Sequence, residues 1–219
     1  MSDDTASPGS REKILEVAEA LFARRGFAGV GLREVAETAG LGKSSLFHHF
    51  ASKVELYFDV LARVLGRIEQ RLAAVWAGEA APLARLDRAI DTLVDTLAEH
   101  PTSARLLLRG IFEDDDFGPG PESPPEAARA ERSLEALIGG LQGLLREGVE
   151  AGAFRAVSAR HTVQTLIGAT VYHFASGEFG ETLIGRSLFS ADEVRRRKDE
   201  IKSLLHHGIA AAPAPASGG

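Results

Sequence analysis

Apolar positions recur along this chain at spacings of three and four, with polar residues between them and no convincing run of period-two alternation. That rhythm predicts an all-α protein. Ser10 can cap a first helix whose Ile14, Val17, Ala18, Leu21 and Phe22 share one face, and Gly26 supplies a left-handed stop after Arg24 and Arg25. A short second helix carries Leu32, Val35, Ala36 and Ala39. Gly40 makes a turn, Leu41 plugs inward, and a third short helix runs from about Lys43 to Phe50 with Leu46 and Phe50 facing the same small core.

Ser52 and Glu55 form a capping box that opens a long fourth helix, with an inward stripe from Tyr57 through Val64, Ile68 and Leu72 to Trp76. A fifth helix follows Pro82, a sixth runs from Pro101 to Phe112, and a seventh spans about Glu126 to Ala151. An eighth begins near Ser158, and a ninth follows a second capping box at Ser190 and Glu193. About nine helices are expected, three in a small domain over 10–56 and the rest in a larger one over 57–209. Residues 1–9 and 210–219, rich in Ser, Pro, Gly and Ala, are expected to be disordered tails.

Composition narrows the chemistry. With 219 residues the chain can bury a sizeable core without a staple, and with no cysteine it can hold no disulfide, thiolate metal site or cysteine nucleophile. No cofactor or metal is expected. No apolar run approaches the roughly 20 residues of a membrane span, and the first ten residues are polar and acidic, so a cytoplasmic location is expected. The formal charge of −6 argues against coating nucleic acid indiscriminately, because that mode rests on phosphate neutralisation. Any binding to DNA has to come from local geometry.

The segment Leu32 to Phe50, LREVAETAGLGKSSLFHHF, has the spacing of a helix-turn-helix: two short amphipathic helices, a turn glycine and an apolar plug one residue later. With LFARRGF before it and ASKVELY after it, the stretch from about Ser10 to Leu61 resembles the DNA-binding domain of the TetR/AcrR family of regulators. The resemblance implies that Lys43, Ser44, Ser45 and His48 line the exposed face of a recognition helix, and that Arg33 and Lys53 hold phosphates. Phe47 stands where the family usually has Tyr; its ring can still pack on sugar or a thymine methyl. Gly31 and Gly42 stand where the family usually caps with Thr or Ser.

Two recognition helices about 34 to 36 Å apart read successive major grooves, so the resemblance implies a homodimer on a palindromic operator in double-stranded DNA. Val163, Leu166, Ile167, Thr170, Val171 and Phe174 of the eighth helix, with Ile201, Leu204 and Leu205 of the ninth, cover more than one face. They are the candidate dimer interface or, alternatively, plain core. Gly139, Gly140 and Gly143 inside the seventh helix either leave space for a small-molecule effector or permit close helix contact. Arg109, Phe112, Tyr172 and His173 are the candidate effector-binding residues.

No Ser/His/Asp motif is recognisable. The leading expectation is a ligand-responsive regulator, chiefly a repressor, and not an enzyme. The rival is an all-α small-molecule-binding protein or enzyme that keeps the small domain as scaffold.

Overall fold

The computed structural model describes residues 8–112 and 123–209, and the regular elements among them are helices. In chain order these are α1 (Pro8–Arg25), α2 (Leu32–Thr38), α3 (Lys43–His49), α4 (Lys53–Trp76), α5 (Pro82–Glu99) and α6 (Pro101–Phe112). Then come α7 (Pro125–Glu150), α8 (Ala159–Ile167), a five-residue π-turn (Gly168–Tyr172), α9 (His173–Ala175), α10 (Glu178–Ile184) and α11 (Ala191–Ile209). The expected tails 1–9 and 210–219 fall largely outside the described residues. Pro8 and Gly9, however, belong to α1, since proline is well suited to a first turn whose N–H groups have no partner. The sequence pattern did not anticipate α10. Its Phe179 and Leu183 are 64% and 75% exposed, so it shows no inward stripe to read.

Two compact units emerge. One takes Met1–Arg67 and His100–Glu135, the other Ile68–Glu99 and Ala136–Gly219. The first therefore gathers α6 with the small N-terminal helices, a partnership that apolar spacing alone does not reveal.

In the first unit Ile14, Ala18 and Phe22 of α1, Val35 of α2, Leu46 of α3, and Leu56, Tyr57 and Val60 of α4 are buried around one core. Each large side chain removed from water contributes about 1.5 to 3 kcal/mol. Tyr57 meets Phe22 and Phe27 edge-on at 5.1 and 5.2 Å. The turn between α2 and α3 is a Schellman motif: Gly40, at φ 66°, donates to the Glu37 carbonyl and Leu41 donates to the Ala36 carbonyl. A buried carboxylate ties three helices together. Glu19 of α1 accepts from Thr102 Oγ1 at 2.7 Å and Ser103 Oγ at 3.3 Å on α6, and from Arg67 Nη2 at 3.3 Å on α4. Asp59, also buried, is held by Arg11 and by Arg129 at the start of α7.

In the second unit Arg85 of α5 is buried, and it caps the end of α4. Its Nε and Nη2 donate to the carbonyls of Val75 and Trp76 at 3.2 and 2.8 Å, while Nη1 meets Glu147 of α7 at 2.7 Å. Those are the orphan carbonyls that every helix leaves at its C-terminus. Asp87, Asp91 and Asp95 stand one turn apart on α5 and pair with His206, Lys202 and Lys198 of α11 at 2.7, 2.9 and 2.5 Å. Partly exposed pairs of this kind fix the register of two helices more than they stabilise them. Beneath α7 and α8, Phe154 packs its ring against Gly148, where a Cβ would lie 2.1 Å from the ring.

Candidate nucleic-acid interface

An α-helix turns about 100° per residue, so the seven residues of α3 sort cleanly by direction. Lys43, Ser44, Phe47 and His48 fall within an arc of about 140°, and all four are exposed. Ser45, Leu46 and His49 fall on the other side. Ser45 and Leu46 are buried, and His49 is partly so.

Ser45 is thereby corrected. It was expected on the outward face, but it lies some 200° round from Lys43 and is only 6% exposed, so it cannot reach a base edge. Lys43 holds its ammonium 5.5 Å from the Phe47 ring centroid one turn on, which places a cation and an exposed ring side by side on the outward face of α3. Gly31 and Gly42 occupy the cap positions of α2 and α3 with extended backbones and no side-chain cap bond.

The flanking cations differ from one another. Lys53, expected at a phosphate, donates instead to the Val30 carbonyl at 2.9 Å and sits 4.2 Å over the Phe27 ring. Partial burial there pulls its pKa down from the ordinary lysine value. Arg33 is 83% exposed, and its Nε donates to Glu37 Oε1 at 2.8 Å, a hydrogen bond that raises its pKa. Arg33, Glu37, Leu41, Gly42 and Lys43 line a shallow open depression between α2 and α3. Glu37 in that depression was not anticipated from sequence, although its i, i+4 spacing from Arg33 was the available signal.

The sequence model for bacterial regulatory proteins of the tetR family matches residues 14–60, and that for a tetracyclin repressor-like C-terminal domain matches residues 82–204, more than half of the chain. This chain belongs to the TetR family of bacterial regulatory proteins. Among its relatives, the HTH-type transcriptional regulator RutR of Escherichia coli K12 is 27% identical over 207 residues, which span 93% of this chain and 92% of RutR. The solved structure of the ketosteroid regulator KstR2 of Mycobacterium tuberculosis superposes with a TM-score of 0.74 at 21% identity, over 94% of this chain and 97% of that one. That of AibR in complex with isovaleryl coenzyme A and operator DNA gives 0.70 at 15% identity, over 89% and 97%. Between the two classes left open by sequence, the family decides for a transcriptional regulator over an enzyme.

The residues expected to bind an effector in this TetR-family protein do not share one environment. Arg109 donates to the carbonyls of Ala23 and Arg24 at 3.2 and 3.3 Å, closing the end of α1. Tyr172 is 52% exposed, whereas the neighbouring His173 is 6% exposed. Burial and the nearby Arg197 push the His173 imidazole down to about 4. The side chain of Phe112 lies outside the described residues. Of the three α7 glycines expected to leave space or permit close contact, Gly140 seats the Trp76 indole, which would be 2.7 Å from an added Cβ, while Gly139 and Gly143 face open space. Close packing explains Gly140.

The expected dimer residues also need correction. Val163, Leu166, Thr170, Val171, Phe174, Ile201 and Leu205 are buried within the single chain, and Thr170 satisfies its hydroxyl on the Leu166 carbonyl at 2.7 Å. Thr170, Val171, Ile201 and Leu205 go inward because α11 and the π-turn both pack on α5. Ile167 is half-buried, and Leu204, at 65%, stays exposed. The exposed apolar side chains of this region are Tyr172, Phe179, Leu183 and Leu204. Among the described residues no helix is long and apolar enough to cross a membrane, and no three His, Asp or Glu side chains gather as a metal site.

Proposed function

We propose that this regulator binds a palindromic operator as a homodimer through Lys43, Ser44, Phe47 and His48, acts as a repressor by occupancy, and is released by a small, largely apolar effector. The exposed arc of α3 carries the proposal. Four side chains able to meet a groove point outward together, while the rest of the helix is committed to the core. Self-association is supported by Tyr172, Phe179, Leu183 and Leu204, large apolar side chains that a monomer would leave in water. AibR, whose solved complex contains both isovaleryl coenzyme A and operator DNA, supports an effector with an apolar acyl portion.

The test is a titration of the full-length protein on its own upstream region and on an unrelated duplex, at two salt concentrations. A specific, salt-sensitive complex is expected, and Lys43→Ala should weaken it without loss of helicity. Equal weak binding to both duplexes would remove the operator reading. Sedimentation should give a dimer that Leu204→Glu weakens; a strictly monomeric wild type would remove the paired reader.

A further inference from the structure

We infer that Glu37 restrains the DNA affinity of this surface by engaging the Arg33 guanidinium and withholding it from the phosphate backbone. The inference rests on the helix-turn-helix reading above. Arg33 and Glu37 stand one turn apart on α2, with side chains 83% and 62% exposed, and are joined through Arg33 Nε and Glu37 Oε1 at 2.8 Å. Both line the depression that also holds Lys43 and Gly42 at the start of α3. A phosphate entering there meets two cations and one carboxylate. Lys43, with no carboxylate partner among the described residues, is available to it, whereas Arg33 meets it with the Glu37 carboxylate on its Nε, an anion that faces the phosphate at close range.

The neighbouring pair on α2 differs in kind. Glu34 is engaged by Arg25 of α1, joining two helices, and both members are less than half exposed. The Arg33–Glu37 pair joins α2 only to itself and adds little to an exposed helix. Its consequence lies at the DNA face: one potential phosphate contact is cancelled. A regulator that must find an operator among a large excess of other duplex gains from a weaker sequence-independent term, because that term is built almost wholly from such contacts.

Salt titrations of operator binding test this with the full-length wild type, Glu37→Gln, Arg33→Ala and the double variant, all checked for helicity. Each phosphate contact steepens the slope of log K against log salt by about 0.9, an extra loss of about 3.5-fold between 50 and 200 mM salt. Glu37→Gln, which frees one Arg33 in each protomer of the dimer, is expected to steepen the slope by about 1.8, an extra loss of about 12-fold over that salt range, and to bind more tightly at low salt. Arg33→Ala alone should leave the slope nearly unchanged, and the double variant should match it. A slope flattened by about 1.8 in Arg33→Ala, one contact from each protomer, would overturn the inference, since Arg33 would then already hold a phosphate. So would a steepening by Glu37→Gln that persists without Arg33, since the carboxylate would then act on its own. Lys43→Ala, run alongside, separates the two levels: if it is silent and the wild-type complex has no salt dependence, the interface reading itself fails.

Discussion

Glu19 is the most exposed to experiment of the buried contacts that position the reading head. Its side chain is 7% exposed, and it accepts hydrogen bonds from Thr102, Ser103 and Arg67. Glu19→Ala removes the acceptor from two hydroxyls, one of which, Ser103, is 1% exposed and has no route to water. Breaking a buried, hydrogen-bonded charge from one side costs about 3 to 5 kcal/mol. Arg67 and Arg63 are 20% and 22% exposed, so each can partly rehydrate, which places the expected loss at the low end, about 3 kcal/mol. In urea, with a slope of about 2 kcal/mol per molar, the midpoint should fall by about 1.5 M with the slope unchanged. The control is Glu16→Ala. Glu16 is 65% exposed and 3.8 Å from Arg63, and its loss should cost under about 0.5 kcal/mol. A Glu19→Ala cost below about 1 kcal/mol, or one equal to the control, would refute the claim that this carboxylate binds α1 to α4 and α6.

Other perturbations follow from the same structure. Gly31→Ser places a capping hydroxyl on an extended backbone with no atom within 4 Å of the new Cβ. Thermal unfolding should rise by about 1 to 3 °C, through the cap and a less flexible unfolded chain. Gly140→Ala drives a Cβ to 2.7 Å from Trp76 and should destabilise by about 1 kcal/mol net, with a shift in the emission of the single tryptophan. Gly139→Ala, facing open space, should instead stabilise by up to about 1 kcal/mol, and equal effects at the two sites would refute the packing argument. His173 is pushed down from 6.5 to about 4 by burial, so the unfolded chain binds the extra proton between those values. Its contribution is therefore intact above pH 6.5 and is lost as the pH falls toward 4, by about 2 kcal/mol between pH 7.5 and 5 in urea titrations. His173→Leu should flatten that portion of the profile, and an unchanged profile would rule the residue out.

Much of this was legible before any coordinates. Apolar spacing determined the helices of the chain other than α10, Gly40 determined the turn, and Ser52 and Ser158 determined two helix starts, because each is a local choice made within one turn of backbone. Ser52 Oγ accepts from the Glu55 amide at 3.1 Å, and the Ser158 hydroxyl accepts from the His161 amide at 3.5 Å. The motif also carried the family, through its spacing and flanks. The inward direction of Ser45 follows from the 100° turn per residue along α3.

What tertiary structure decided is everything that depends on a partner distant in the chain. An apolar stripe on α8 or α11 reads the same whether it turns into its own chain or meets a second subunit, and only packing showed Val163, Phe174 and Ile201 turned inward with Leu204 left outside. Arg109 and Lys53 looked like groups in search of a ligand, yet each donates to a backbone carbonyl far away in sequence, at Ala23 and at Val30. A charged side chain takes the nearest unsatisfied oxygen, and the sequence does not say which oxygen folding brings within reach.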